Sequence, residues 1–515
     1  MRIFLTTSWL SLFFVFCQTL EAQQVRGYCG TQSSPVADAQ LDANIAYLAA
    51  HPDVLNTRGI TYVPVRFTIV RPASGNGGVN PKSVFRMFCK LNEDYLDQDI
   101  QFYMKDDFKY LNNDLANTDP QSSSGGSILK NVKDKTALNI FFVEEIKSSS
   151  PGSVLGFFSP ENDYLVVRNS EANYESQTTS HEMGHFFSLR HTFYGWECQP
   201  WNVNDHGQIV TFTIAPCFSA QVELVNGSNC STAADKVCDT PPDYNFGFGW
   251  PNDCRPFNVD VYDKNNDLIR PSQNNFMSYF FGCTGWHFSQ GQKNLIRTDL
   301  NSTKRSYLKS TYTPPSTTVS GEVNYQYPIN NQEALRNAPI VLQWENVPGA
   351  TFYIVEYSRR KSFDSNFTVT EMVRTNQVTI PANYFPSGAA TGYWRVIPMN
   401  EAVTCNVPAN GSEQSFTLVN ALGTKSIDGL QHFVVKPNVL RSGNSIQVEV
   451  SAGKSMDCMV QITDINGRVV YHYGQYKMTL GMNKIVLDEI NLSTGIYIVS
   501  IKNKSGINSQ KLIVH

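Results

Sequence analysis

At 515 residues the chain is too long for one hydrophobic core and divides into several domains. Its formal charge is −4 and it carries no block of Lys or Arg, so nothing stands ready to neutralise a phosphate backbone and nucleic acid is not expected as a partner. No run beyond the N-terminus approaches the roughly 20 apolar residues that span a bilayer, so no transmembrane segment is expected.

Residues 1–22 read as a signal peptide: Arg2, an apolar stretch from Trp9 to Phe16, then a small-residue cleavage site at Leu20-Glu21-Ala22. Phe16 is bulky where lipid attachment at Cys17 needs a small residue. Residues 23–60 are polar, with a short amphipathic stretch from Asp38 to Ala50 and a lone cysteine in Arg26-Gly27-Tyr28-Cys29-Gly30, and read as a pro-segment. Residues 61–313 then alternate between α and β patterns. Strand-like runs fall at Tyr62–Val70, 100–104, 138–144 and Tyr164–Val167, and a helix is predicted from Pro81 to Tyr95. Ser and Thr residues able to cap a helix lead into HEMGHFFSLRH at 181–191.

His181 and His185, four apart, share one helix face and can hold one metal ion. Glu182 points elsewhere, towards where a general base for an attacking water is wanted. His191 would fall about 240° round an unbroken helix, so the helix must break before it. The segment resembles the longer motif HExxHxxGxxH, which places a left-handed glycine at the break; that resemblance puts Ser188 there, at a cost on the order of 1 kcal/mol. Downstream, NNFMSYFFGC places Met277 in a tight polar-flanked turn. Six cysteines, at 198, 217, 230, 238, 254 and 283, suggest disulfides in an exported protein, with 15 pairings open. Residues 194–234, rich in aromatics and cysteine, either wall the cleft or form a stapled surface loop.

Past Leu308 the composition turns to Thr, Ser and Pro, with Pro314-Pro315 marking a linker. Residues 318–418 show short alternating strands that resemble a fibronectin type III sandwich, with Trp344, Tyr353 and Trp394 as its core. Residues 433–515 are strand and turn again, with a hairpin at Asn466-Gly467 in which both turn residues need φ > 0. KPNVLRSGNSIQVEV, ITDINGRVV, LSTGIYIVSI and KLIVH resemble the C-terminal sorting domain of the type IX secretion system, which implies that machinery as a partner and passage through the outer membrane.

HEMGHFFSLRHTF, DKVCDTPPD and NNFMSYFFGC together resemble the pappalysin-type metzincins, over about residues 60–308. The resemblance implies a zinc endopeptidase acting on protein or peptide substrates. His181, His185 and His191 would be zinc ligands, Glu182 the general base, Met277 the turn methionine, and Tyr279 a stabiliser of the tetrahedral intermediate. It further implies a calcium site using Asp235, Thr240 and a backbone carbonyl near Cys238, and a Cys254–Cys283 disulfide. Cys29 would be a latency switch on the zinc, the alternative being a disulfide, most plausibly with Cys89.

The expected fold class is multidomain: an α/β metzincin domain, with a mixed sheet and an active-site helix, followed by two all-β sandwiches. The rival reading is a weak or inactive metzincin-like surface adhesin that binds host protein or glycan. Retention of Glu182 speaks against it, since a pure binding site needs no base beside a metal.

Overall fold

The computed structural model describes residues 27–56, 59–148, 153–315, 317, 319, 322–402, 405, 412–419 and 427–515. Residues 1–26, with the expected signal peptide and the start of the expected pro-segment, lie outside the described residues. The chain forms two compact units, residues 1–79 with 90–311, and residues 80–89 with 312–515.

The first unit is built on a sheet of seven strands: β1 (Gly27–Cys29), β2 (Thr61–Arg71), β3 (Ile100–Met104), β4 (Lys109–Asn112), β5 (Leu138–Val143), β6 (Ser153–Ser159) and β7 (Tyr164–Arg168). Their order is β1-β6-β7-β5-β2-β3, with β4 also pairing with β2. β5 and β7 flank one another in parallel and are apolar almost without interruption, as strands buried on both faces must be. β6 runs antiparallel to β7 and makes the sheet mixed, and β1 is added to the free edge of β6 in parallel.

The helices in chain order are α1 (Pro35–Ala50), α2 (Pro81–Asp94), α3 (Asp114–Thr118), α4 (Ser123–Val132), α5 (Thr178–Phe186), α6 (Val203–His206) and α7 (Gln290–Asn301). α1 differs from the expected amphipathic stretch: its fully buried residues are Leu41 and Asn44, and polar bonds hold it. Asn44 donates to Ser188 Oγ and to Asp299 Oδ1, each over 2.8 Å, and Asp38 accepts from Arg190 Nε over 3.0 Å. α5 starts without a side-chain cap from its own N-cap residue Gln177, but Ser176 Oγ, one position earlier, accepts from Thr178 N. At its far end Arg305, wholly buried, donates to Phe186 O while pairing with Asp299 and Asp163.

In the second unit, one sheet joins Ile340–Trp344 to Gln377–Ile380 and Tyr325–Tyr327; the other runs through Thr368–Val373, Phe352–Ser358, Thr391–Met399, Gln414–Val419 and Glu333–Leu335. Trp344, Tyr353 and Trp394 lie buried in one cluster between them, and Trp394 Nε1 donates to Pro328 O. Cys89 pairs with Cys405 within this unit.

The last strands, from Leu430, form two further sheets around a core that includes Val448, Val460, Ile501 and Leu512. The hairpin at Asn466-Gly467 forms between Met456–Asp464 and Val469–Met478, but its turn is not the two-residue kind expected. Gly467 alone has a positive φ there, +85°. The Asp464 carboxylate accepts from Asn466 N and Arg468 N, which favours a longer loop closed by one left-handed residue. Among the described residues no helix is long and apolar enough to cross a membrane.

Candidate metal centre

α5 brings His181 and His185 onto one face. The helix ends at Phe186, and Ser188 then takes φ +68°, the left-handed conformation the sequence requires at the break. Its neighbours close the turn, Ser188 N donating to His185 O and Leu189 N to Gly184 O. Asn44 bonds the Ser188 hydroxyl, which gives the non-glycine residue a partner of its own. His191 then returns to the other two.

The three Nε2 atoms lie 3.1 to 3.2 Å from one another. Each Nδ1 has an acceptor facing away from that cluster: Phe276 O at 2.6 Å for His181, Leu189 O at 2.8 Å for His185, and Glu197 Oε1 at 3.1 Å for His191. With Nδ1 protonated towards these acceptors, all three Nε2 lone pairs face inward. Ligands at about 2.0–2.1 Å in a tetrahedral set stand about 3.3 Å apart, so the residues present fit one small cation. Burial pushes His181 down to about 3 and His185 well below the usual range, with the neighbouring imidazoles adding to it, so both rings are neutral and able to bind metal.

Glu182 is fully buried, and burial pushes it up to about 7. Its Oε2 accepts from Thr31 Oγ1 over 2.8 Å, while Oε1 has no partner. Met277 lies beneath the cluster. A Cβ on Gly184, between the two helix histidines, would stand 2.4 Å from its sulfur, which explains the glycine in HEMGH. The turn is pinned by Asn275, whose Oδ1 accepts from Met277 N while its amide exchanges bonds with Gln292, a capping-box residue of α7. Buried Asp243 accepts from both Thr192 and Ser278, tying the segment after His191 to the one after Met277.

Cys29 is an unpaired thiol whose sulfur falls, with the three imidazole nitrogens, in a group within 4.8 Å of one another. The alternative of a Cys29–Cys89 disulfide is overturned, because Cys89 is bonded to Cys405. Burial and the Glu182 carboxylate push the Cys29 thiol well up in the absence of a cation. Tyr279 turns its hydroxyl to the Cys29 backbone, 3.1 Å from its N–H and 3.2 Å from its carbonyl.

The remaining pairs are Cys198–Cys217, Cys230–Cys238 and Cys254–Cys283. Of the two alternatives for the 194–234 segment, Cys198–Cys217 staples it, and Tyr194, Glu197 and Phe218 also line a cavity beside His191. Asp235 and Thr240 are adjacent and buried, and the Thr240 hydroxyl meets the Asp235 carboxylate and Val237 O. Glu223 faces them with Oε2 unpartnered, pushed up to about 9 by burial and then by the Asp235 and Asp243 carboxylates.

The sequence reading missed Thr31, Asn44, Glu197, Glu223 and Asp243. Each acts through a contact distant in sequence or through a loop of irregular backbone, where no periodicity marks facing. Glu197 alone left a trace, as a carboxylate six residues after His191.

Residues 442–515 match the family described as secretion system C-terminal sorting domain. The chain is 27% identical over 212 residues to an extracellular metalloprotease of Pyricularia oryzae, covering 38% of this chain and 69% of that protein. It is 28% identical over 149 residues to one of Colletotrichum graminicola, covering 26% and 52%. Among solved structures, a mutant promirolysin of Tannerella forsythia is similar with 16% identity and a TM-score of 0.34, over 54% of this chain and 96% of that one. Site and similarities together define the class, a secreted metalloprotease. Its C-terminal segment is a type IX secretion sorting tail, which directs the chain to the cell surface or beyond.

Proposed function

We propose that the chain is a zinc-dependent endopeptidase of the pappalysin-like metzincin type, made as a latent precursor. The observation that carries this reading is the convergence of three imidazole Nε2 atoms beside a buried glutamate with one unpartnered oxygen. His181, His185 and His191 would hold the zinc. When bound, zinc supplies Lewis acidity, polarising a peptide carbonyl and acidifying water.

Glu182 takes the proton of the attacking water at Oε1 and passes it to the leaving amine; burial keeps its proton affinity close to neutral, as that double role needs. Glu197 holds the His191 ring in its binding tautomer. Tyr279, once released from the Cys29 backbone, has a hydroxyl free to donate to the developing oxyanion.

In the precursor, Thr31 holds Glu182, and Cys29 would join the three histidines in holding the zinc, which would keep water from both. Glu223, Asp235, the Val237 carbonyl and Thr240 form an oxygen-rich set suited to calcium, whose charge would offset the carboxylates buried together there. The test is Glu182→Ala: stoichiometric zinc should remain while peptide hydrolysis falls roughly 10²- to 10⁴-fold. Unchanged turnover rejects the mechanism, and a wild-type protein without stoichiometric zinc rejects the metal.

A further inference from the structure

On the Glu182 side of the metal centre the protein opens into a cleft of about 320 Å³, with His181 and Glu182 at its inner end. Its apolar walls include Leu155, Phe276, Phe280, Phe281 and Trp286, and Tyr28 and Cys29 of the expected pro-segment close it in the precursor. Phe276 and Trp286 stack with ring centroids 5.9 Å apart, which makes a rigid aromatic face. Phe280 is 2% exposed, and the Trp286 indole N–H is buried without an acceptor.

Carboxylates approach this cleft but do not furnish it with a charge pocket. Glu171 already accepts from Ser176 Oγ and Thr178 Oγ1 through one oxygen and from Ser170 Oγ through the other. Glu175 is exposed at the rim, where water and salt screen it.

This cleft has a defined place in the reaction if the peptidase reading above holds, on which the inference rests. A glutamate that takes the proton of the attacking water must return it to the leaving amine. The amine half of the cut bond therefore lies on the Glu182 side of the metal, and the first side chain of that half enters this cleft. The opposite side, walled by Tyr194, Glu197 and Phe218, receives the acyl half.

We infer that the protein cuts before large apolar residues, Leu, Met or Phe, and that Phe280, Phe281 and Trp286 set this preference. An aromatic-walled cleft gains with every apolar group it takes from water. Apart from Glu182, which the attacking water engages, it gives a lysine ammonium no buried partner, and a carboxylate none, and a charge desolvated without one is strongly disfavoured. A hydrophobic site separates side chains by roughly 10- to 200-fold for each methylene, so Leu should exceed Ala by about a hundredfold or more.

The experiment uses the full chain with residues before Thr61 removed. It is incubated with a denatured protein mixture and the new N-termini are sequenced. Leu, Met and Phe should be enriched about tenfold or more in the first position after the cut, with Lys, Arg, Asp and Glu depleted. Phe281→Glu, at a partly exposed site, should move the preference towards Lys and Arg. Enrichment of basic residues by the unaltered protein, or no preference, overturns the inference.

A second readout needs no turnover. Leu-Gly-amide and Lys-Gly-amide, which mimic the departing half, are titrated against Glu182→Ala protein while the tryptophan emission that is lost in Trp286→Phe is followed. The leucine peptide should bind at least tenfold more tightly, and equal binding overturns the inference. If no protein is cut at all, the peptidase reading falls, and the titration still decides what the cleft accepts.

Discussion

Replacing Cys29 by serine should make the uncut precursor active. Zinc held by four protein ligands is worth roughly 10–16 kcal/mol in all, or about 3 kcal/mol for each. Losing the thiolate should therefore shift the balance between closed and open pro-segment by more than about a hundredfold, at about 1.4 kcal/mol per factor of ten. The other contacts cannot restore that loss. Thr31 to Glu182 is one hydrogen bond to an ionisable group, about 1.5 kcal/mol. The Asp38–Arg190 and Asp42–Lys236 pairs are partly exposed and worth about 1 kcal/mol or less apiece. Thr31→Val should accordingly raise precursor activity only about tenfold, and the two changes together should give more than either alone. The assay is hydrolysis of a quenched fluorescent peptide by the purified precursor, with its N-terminus sequenced to show that it is intact and zinc measured to show that it is loaded. A Cys29→Ser precursor that is folded, zinc-loaded, intact and still silent would refute the reasoning, and latency would then rest on steric blockage alone.

Deletion of residues 433–515 should leave peptidase activity intact in cell lysates while the protein stays within the cell envelope; appearance of the truncated protein in the medium of the native host counts against the sorting role. Calcium added to zinc-loaded, calcium-free protein should raise its melting temperature by about 5–10 °C, from about 2.7 kcal/mol at a hundredfold excess over Kd and about 2–4 °C per kcal/mol; Asp235→Asn should abolish the shift, and an unchanged shift would place calcium elsewhere. For acid stability, burial pushes Asp163 up, but the Arg305 guanidinium, the Tyr307 hydroxyl and the Lys304 charge together outweigh it and hold the carboxyl below its ordinary value. The sign follows: stability from these contacts is complete above the unfolded carboxyl range, about pH 4, and is lost as pH falls through the lower folded value. Asp163→Asn should thus lower the melting temperature at pH 6 and flatten its decline below pH 4, and a parallel decline in mutant and wild type would remove Asp163 from the account.

What was legible in the sequence follows from where physical rules are local. β5 and β7 are continuous apolar runs, so burial on both faces marks them. His181 and His185 declare themselves by helical spacing, and the need for a break before His191 follows from the same arithmetic. Ser188 looked like a weakness of the turn because its compensation lies 144 residues away, in Asn44. The same distance hid Thr31, whose hydroxyl reaches Glu182 only because β1 pairs with β6. The proposed oxygen-rich set was half visible: Asp235 and Thr240 share a short loop, whereas Glu223 lies in a segment without regular structure. Cysteine pairing was open on counting alone, and the Cys89–Cys405 bond spans 316 residues, beyond the reach of any spacing argument.

The way α1 is fastened bears on what its departure leaves behind. A lid seated by a greasy stripe would, on leaving, strand an apolar scar on a protein already outside the cell and beyond the reach of its chaperones. α1 is seated mainly by amides and charges, with Leu41 as its one fully buried apolar residue. Water can take over each of those bonds as the helix lifts, solvating Ser188, Arg190 and Lys236 in turn. If the segment is removed as proposed, the face it uncovers is polar rather than apolar, and such a maturation would be final without being hazardous.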